Sequence, residues 1–134
     1  MMTEIGTIVF VCEHGAAKSV IAAAYFNSLA REKGLDLMAV ARGTQPDEEL
    51  SPKTVIGLQK DGLTPAETKP RKLAPEEAGS ARRIISFCDL PEEYHQAAVI
   101  ERWEDVPPVS ENYQAARDAI VKNLHCLLAE LTQT

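Results

Sequence analysis

The chain is poor in cysteine, histidine and basic residues. Its 134 residues include only three cysteines, and their wide spacing argues against a secreted disulfide scaffold and offers no paired metal-ligand motif. The three histidines, His14, His95 and His125, are equally scattered, so no metal ion or other cofactor is predicted. Acidic residues outnumber basic ones by 20 to 14, and the formal net charge of −6 disfavours a nucleic-acid partner.

Long apolar runs are also missing. No stretch approaches the length that a membrane-crossing helix needs, and residues 1–6 are short and polar, without the apolar core of a secretory signal. We therefore predict a cytoplasmic protein with reduced thiols and no membrane partner. With 45% hydrophobic residues, the chain suffices for one domain with a real core but not for two. A single domain over residues 1–134 is expected.

The sequence does contain an alternation of strand-like and helix-like segments. Strands are predicted at residues 5–11, 37–42, 83–88 and 98–103. Helices are predicted at residues 18–33, 51–61, 75–78 and 110–131. This alternation predicts an α/β fold, a three-layer sandwich in which a four-stranded parallel sheet carries helices on both faces. Ligands of such sheets bind beyond the carboxyl ends of the strands, where the strand order reverses.

The most informative segment reads IVFVCEHGAAKS and spans residues 8–19. A β-branched apolar run ends in a cysteine, and a small-residue loop then opens a helix near Lys18. Small residues let the backbone wrap closely and aim several N–H groups at one point, to which the helix adds its positive end. Such a loop favours anions. The oxyanion-binding residues that we predict are Glu13, His14, Gly15, Ala16, Ala17 and Lys18.

The cysteine of this segment, Cys12, is the predicted nucleophile. A loop that attracts anions also stabilises a thiolate, so Cys12 is expected to be reactive at neutral pH. Ser19 is placed to donate a hydrogen bond to its sulfur. The alternative is that Cys12 is an inert, buried cysteine at a strand end.

These residues resemble the low-molecular-weight protein tyrosine phosphatases and the arsenate reductases that share their fold. That family carries a cysteine, five residues, an arginine and a serine or threonine directly after the first strand. Here Cys12 is followed by Lys18 and Ser19. His14 also recurs in some of the arsenate reductases, and Gly15 stands where the family usually has an asparagine in a left-handed conformation. The resemblance covers almost the whole chain and implies the four-stranded sheet and a cysteine-dependent enzyme.

Lys18 is the departure from the family pattern that matters most. The guanidinium of the family arginine donates two parallel hydrogen bonds to two oxygens of the phosphoryl group, whereas the lysine ammonium acts as a point charge. The loss is expected to cost a few kcal/mol of transition-state stabilisation, roughly two or more powers of ten in rate. Arg42, at the end of the second strand, is a candidate to reach the same edge and compensate. The alternative is an ordinary solvated arginine.

Two further residues take roles that the resemblance implies. The family phosphatases protonate the leaving oxygen with an aspartate that precedes a proline. Here Pro107 stands at that position, and Asp105, displaced by two residues, is the candidate general acid. Cys88 matches the first of two extra cysteines in thiol-cascade arsenate reductases, while His95 occupies the place of the second. A Cys12–Cys88 disulfide would require Cα atoms within about 7 Å.

Three functions therefore stay open. The first is an enzyme in which Cys12 attacks phosphate, arsenate or a phosphorylated protein; a reductase of this kind would also need a small thiol or a thioredoxin-like reductant. The second is a catalytically inactive oxyanion-binding module. The third is a thiol redox protein that uses Cys12 and Cys88, the alternative for Cys88 being a small buried thiol.

Overall fold

Four strands and four α-helices make up the fold. The strands are β1 Gly6–Cys12, β2 Leu37–Gly43, β3 Arg83–Ser86 and β4 Val99–Arg102. The helices are α1 Lys18–Glu32, α2 Pro52–Lys60, α3 Pro75–Ser80 and α4 Tyr113–Thr132, with a short 3₁₀ turn at Glu92–Tyr94. The computed structural model that provides them describes residues 6–94 and 99–132, without the side chain of Val99.

The strands form one parallel sheet in the order β2-β1-β3-β4. The chain runs outward from β1 to β2 and then crosses back to β3 on the other side of β1. The strand order therefore reverses between β1 and β3, whose carboxyl ends lie side by side with Val11 opposite Ser86. This confirms the predicted α/β fold with its four-stranded parallel sheet.

The sheet is covered on both faces, because the side chains of β1 alternate between two cores. Ile8 and Phe10 lie in the larger core, against α1 and α4. Val9 and Val11 lie in the smaller one, with Leu73 and residues of α3. Helix α2 packs beside α1 through a third apolar cluster, which contains Val20, Ala24 and Leu58. Among the described residues, no helix is long and apolar enough to cross a bilayer.

Several element ends differ from the prediction by one to three residues, and side-chain hydrogen bonds explain two of the larger differences. Strand β3 stops two residues early, since the Ser86 hydroxyl accepts a hydrogen bond from the Cys88 N–H at 3.2 Å and turns the chain. Helix α4 begins at Tyr113 rather than Ser110, because the Asn112 side chain accepts from the Ala115 N–H at 3.0 Å and caps the helix. The predicted start of the fourth strand, residue 98, and His95 lie outside the described residues.

Arg42 holds the long connection between α2 and α3. Its side chain is buried, and its Nε donates to both carboxylate oxygens of Glu77, at 3.0 and 2.9 Å. The guanidinium also pairs with Glu67. Two carboxylates, one in the connection and one in α3, thus engage the guanidinium. Arg42 is not the solvated arginine of the alternative, and no hydrogen bond or ion pair joins its side chain to the described residues of the Cys12 loop.

Candidate active site

Cys12 is the last residue of β1, at the point where the strand order reverses. Its side chain is buried, and its Sγ lies 3.0 Å from the Oγ of Ser19, itself fully buried in the first turn of α1. A hydroxyl at this distance donates to a thiolate and lowers its free energy. The structure thus brings together the pair that the sequence predicted.

The loop after Cys12 is held from outside by the segment that follows β2. Four loop carbonyls accept hydrogen bonds from backbone N–H groups of this segment. The pairs are Cys12 with Thr44 at 3.3 Å, Glu13 with Gln45 at 2.8 Å, His14 with Asp47 at 3.0 Å and Ala16 with Ser51 at 2.9 Å. These four backbone hydrogen bonds fix most of the path of the loop, and the Thr44 hydroxyl adds a longer contact to the Glu13 carbonyl at 3.5 Å.

Gly15 meets two demands that only glycine satisfies here. Its φ is +62°, in the left-handed region that side chains disfavour. A Cβ at Gly15 would also lie 2.9 Å from the backbone nitrogen of Gly43, the last residue of β2. The two glycines let the loop pack directly on the end of the neighbouring strand. The left-handed conformation that the resemblance implied at Gly15 is present.

The N–H groups of the loop have no partner within the protein. Among the residues that the structure describes, no backbone N–H from Glu13 to Lys18 donates a hydrogen bond to another group of the chain. Helix α1 begins at Lys18, and Ala17 at its N-cap position supplies no capping side chain. Unpaired donors and a helix N-terminus at one place make a binding site for an anion.

A cavity of about 350 Å³ opens above this loop. The loop forms its floor, and an apolar wall of Phe87, Pro108 and Val109 forms part of its sides. Lys18, Asp47, Ser51, Cys88 and Ser110 also line it. The Cys12 loop, the candidate site for an oxyanion, therefore lies beside a surface that suits an apolar substituent on such an anion.

Cys88 lines the same cavity. Burial raises the pKa of the Cys88 thiol, a hydrogen bond with Ser86 opposes that rise, and the nearby Cys12 adds to it. The two thiols are therefore close enough to interact electrostatically, and both are free. Cys88 is held in its protonated form beside the candidate nucleophile.

Asp105 is not brought to this cavity. It is exposed, and its carboxylate accepts a hydrogen bond from the side chain of Asn123 on α4 at 3.0 Å. The flanking Trp103 and Val106 are buried in the larger core, so the segment between them turns Asp105 outward. The geometry gives the predicted general acid no contact with the described residues of the site.

Asp47 is a site residue that the sequence did not reveal. Its carboxylate Oδ1 lies 3.3 Å from Nδ1 of His14. No local motif marks Asp47, and the only sequence signal is its position just beyond β2, next to the Cys12 loop. Phe87 and Val109 were missed for the same reason, since each joins the cavity through the fold and not through a motif.

Comparisons with known proteins agree with this arrangement. A family model described as "Low molecular weight phosphotyrosine protein phosphatase" matches residues 7–101. The fold is similar to YfkJ from Bacillus subtilis, with a TM-score of 0.83, 21% identity and 96% of each chain covered. It is similar to an arsenate reductase in the phosphate binding state, with a TM-score of 0.79, 17% identity and 95% of this chain and 99% of that chain covered.

A third similar structure is a thioredoxin-dependent arsenate reductase from Corynebacterium glutamicum, with a TM-score of 0.73 and 18% identity. That likeness covers 99% of this chain and 66% of the other. A comparison with curated protein sequences finds no match. At these identities the structural likenesses show the fold, and the family follows from the matched sequence.

Proposed function

The chain belongs to the low molecular weight phosphotyrosine protein phosphatase family, and from that premise we propose that it is a hydrolase of phosphate monoesters with Cys12 as its nucleophile. One observation carries the proposal. The N–H groups of Glu13 to Lys18, which have no acceptor among the described residues, directly follow a buried thiol that Ser19 contacts at 3.0 Å. A phosphoryl group bound by these donors has its phosphorus beside the sulfur.

The reaction has two steps. The Cys12 thiolate attacks phosphorus, so that an S–P bond forms while the ester P–O bond breaks and the alcohol leaves. Water then attacks the phosphocysteine, releases phosphate and restores the thiolate. Ser19 stabilises the thiolate in both steps, and Lys18 neutralises charge on the phosphoryl oxygens. Because lysine lacks the fork of arginine, we propose a slow enzyme for its family.

The cavity favours an aryl phosphate as the substrate. Phe87, Pro108 and Val109 offer apolar surface beside the loop, and an aromatic ring buries well against such a wall. A phosphorylated tyrosine side chain of a protein has this form. We accordingly propose a phosphorylated protein or small aryl phosphate as the partner, acted on by a single cytoplasmic domain that spans residues 1–134.

Hydrolysis of 4-nitrophenyl phosphate between pH 5 and 8 tests the proposal. We expect turnover by the natural chain and none above background for Cys12→Ser. Cys126→Ser, in which an exposed cysteine of α4 is replaced, is the matched control and should hydrolyse at the natural rate. Equal rates in Cys12→Ser and the natural chain would refute the enzyme. Phosphate binding without turnover would leave the oxyanion-binding module as the function.

Arsenate reduction is the second candidate, and the position of Cys88 beside Cys12 favours it. Arsenate would form an As–S bond with the Cys12 thiolate as one As–O bond breaks and its oxygen leaves as water. Attack on that sulfur by Cys88, or by an external thiol, would release arsenite and leave a disulfide, so that arsenic gains two electrons. A small thiol or a thioredoxin-like dithiol would then reduce the disulfide.

Thiol labelling separates the two routes. If Cys88 takes part, arsenate should protect Cys12 and Cys88 from alkylation together, and Cys88→Ser should abolish that joint protection. Independent labelling of the two thiols would show that Cys88 is only a packed side chain. Production of arsenite by Cys88→Ser with added small thiol would assign the step to an external thiol.

A further inference from the structure

The mouth of the cavity carries a paired histidine and aspartate. Nδ1 of His14 lies 3.3 Å from Oδ1 of Asp47, and the two side chains are 57% and 55% exposed. The same two residues are joined through the backbone, since the Asp47 N–H donates to the His14 carbonyl at 3.0 Å. The backbone contact sets the spacing of the pair, and the carboxylate lies next to the ring nitrogen.

The second ring nitrogen of His14 is left for a substrate. Nε2 lies 3.8 Å from the Glu13 carboxylate, which is longer than a hydrogen bond. The charged groups around the ring are the carboxylates of Glu13 and Asp47, with Lys18 in the cavity wall. With Nδ1 next to the Asp47 carboxylate, Nε2 is the ring nitrogen that can contact a bound group.

The proposed hydrolysis needs a proton at this place. When the ester bond breaks, the leaving oxygen faces away from Cys12 and toward the cavity mouth, because attack and departure lie in line. Asp105 points toward α4 instead. Of the side chains that line the cavity, histidine is the type that gains and loses a proton between about pH 5 and 8.

We propose that His14 is the catalytic proton donor to the leaving group and that Asp47 is its positioning residue; this inference rests on the proposed function. As the P–O bond breaks and the S–P bond forms, the Nε2 proton passes to the leaving oxygen and an alcohol departs. In the second step the neutral imidazole takes a proton from the attacking water. The S–P bond then breaks, and the imidazolium and thiolate are restored.

Leaving-group dependence tests the assignment. kcat/KM is measured for 4-nitrophenyl phosphate and for phenyl phosphate, whose phenolate is the poorer leaving group, with the natural chain, His14→Gln, Asp47→Asn and His125→Gln. We expect His14→Gln to lower kcat/KM for phenyl phosphate by about a hundredfold or more and to have a much smaller effect on the nitrophenyl ester. His125 is an exposed histidine of α4, and its variant should match the natural chain with both esters.

The pH profile supplies a readout that a purely structural role would not move. The donor must be protonated, so kcat/KM of the natural chain should fall at the basic end of the profile, and His14→Gln should lose that fall. Asp47→Asn should keep the fall and should lower kcat/KM for phenyl phosphate less than His14→Gln does, because the proton donor remains and only its positioning contact is lost.

The outcomes separate the two proposals. Equal losses for both esters in His14→Gln, with the basic fall retained, would overturn the role of His14 and leave Cys12 hydrolysis standing. Absence of Cys12-dependent turnover in the natural chain with both esters would overturn the hydrolase and the donor together. A large and selective loss with phenyl phosphate, together with loss of the basic fall, supports His14 as the donor.

Discussion

The hydrogen-bond donors around Asp61 and those of the Cys12 loop differ in whether the protein supplies their acceptor. Tyr25, Tyr113 and Arg117 converge on Asp61 at the end of α2, with donor–oxygen distances of 2.5, 2.9 and 3.0 Å. The N–H groups of the Cys12 loop lie in one short segment, but the described part of the chain offers them no acceptor. The first group has its anion in the protein as a side chain, whereas our proposal gives the second group an external anion.

The pKa values of the Asp61 cluster reflect these paired donors. Burial would raise the pKa of Asp61, but the bonds from the two tyrosines and Arg117 outweigh it and hold that pKa below the usual range. Burial and the bond to Asp61 raise the pKa of Tyr25 to about 12. A satisfied cluster of this kind stabilises the fold, while unpaired donors cost stability that ligand binding can recover. The contrast assigns structure to one region and function to the other.

Removing the Asp61 carboxylate should give the largest effect, a loss of stability. Asp61→Ala leaves Arg117 and two hydroxyls without their acceptor, so we expect a loss of about 3 kcal/mol in the free energy of unfolding, measured with urea. The matched control is Asp118→Ala, because Asp118 contacts the same Arg117 but is 70% exposed, against 16% for Asp61. The control should lose no more than about 0.5 kcal/mol. Similar losses in both variants would contradict the contrast.

Strengthening the anion site should act on rate and not on stability. Lys18→Arg places a planar fork at the first residue of α1, and we expect kcat/KM for 4-nitrophenyl phosphate to rise roughly a hundredfold. The unfolding midpoint in urea should stay the same. The matched control is Lys122→Arg, at an exposed lysine of α4, which should hydrolyse the ester at the natural rate. An unchanged rate in Lys18→Arg would show that lysine is not the limiting feature of the loop.

A substitution that distorts the backbone of the Cys12 loop should have the next largest effect. Gly15→Ala should cost about 2 kcal/mol of stability and weaken phosphate binding, because the φ of +62° and the contact with Gly43 both oppose a Cβ. Gly34→Ala is the control, since Gly34 has a φ of +66° but open space around its Cβ position. The control isolates the backbone strain, and phosphate affinity by calorimetry should fall only in Gly15→Ala.

The smallest expected effect is a pH dependence at the structural cluster. The pKa of Tyr25 in the folded chain, about 12, exceeds the ordinary value of 10.0. The stabilisation linked to the neutral phenol is therefore present below pH 10 and lost as the pH rises through 12. Between pH 10 and 12 the free energy of unfolding of the natural chain should therefore fall. In Tyr25→Phe we expect this fall to be smaller by about 1 kcal/mol. An equal slope in both proteins would contradict this linkage.

The features that could be predicted from the sequence depend on local patterns, and those that were missed depend on contacts between distant residues. The strands, the helices and the Cys12–Ser19 pair could be predicted because each depends on periodicity or spacing within a short segment. The contacts of Arg42 and Asp105 could not be predicted, because their partners Glu77 and Asn123 lie 35 and 18 residues away. No local pattern reports which distant side chain a charged group will meet.

The backbone contacts that shape the Cys12 loop also determine how freely it can change. Since backbone carbonyls and N–H groups form most of the hydrogen bonds that hold the loop to residues 44–51, the exposed side chains at positions 13 and 14 carry little of its architecture. Selection or engineering can therefore vary the charge and the proton-transfer chemistry at the mouth of the cavity, while the backbone of the Cys12 loop keeps its shape. One scaffold can in this way support several reactions of oxyanions.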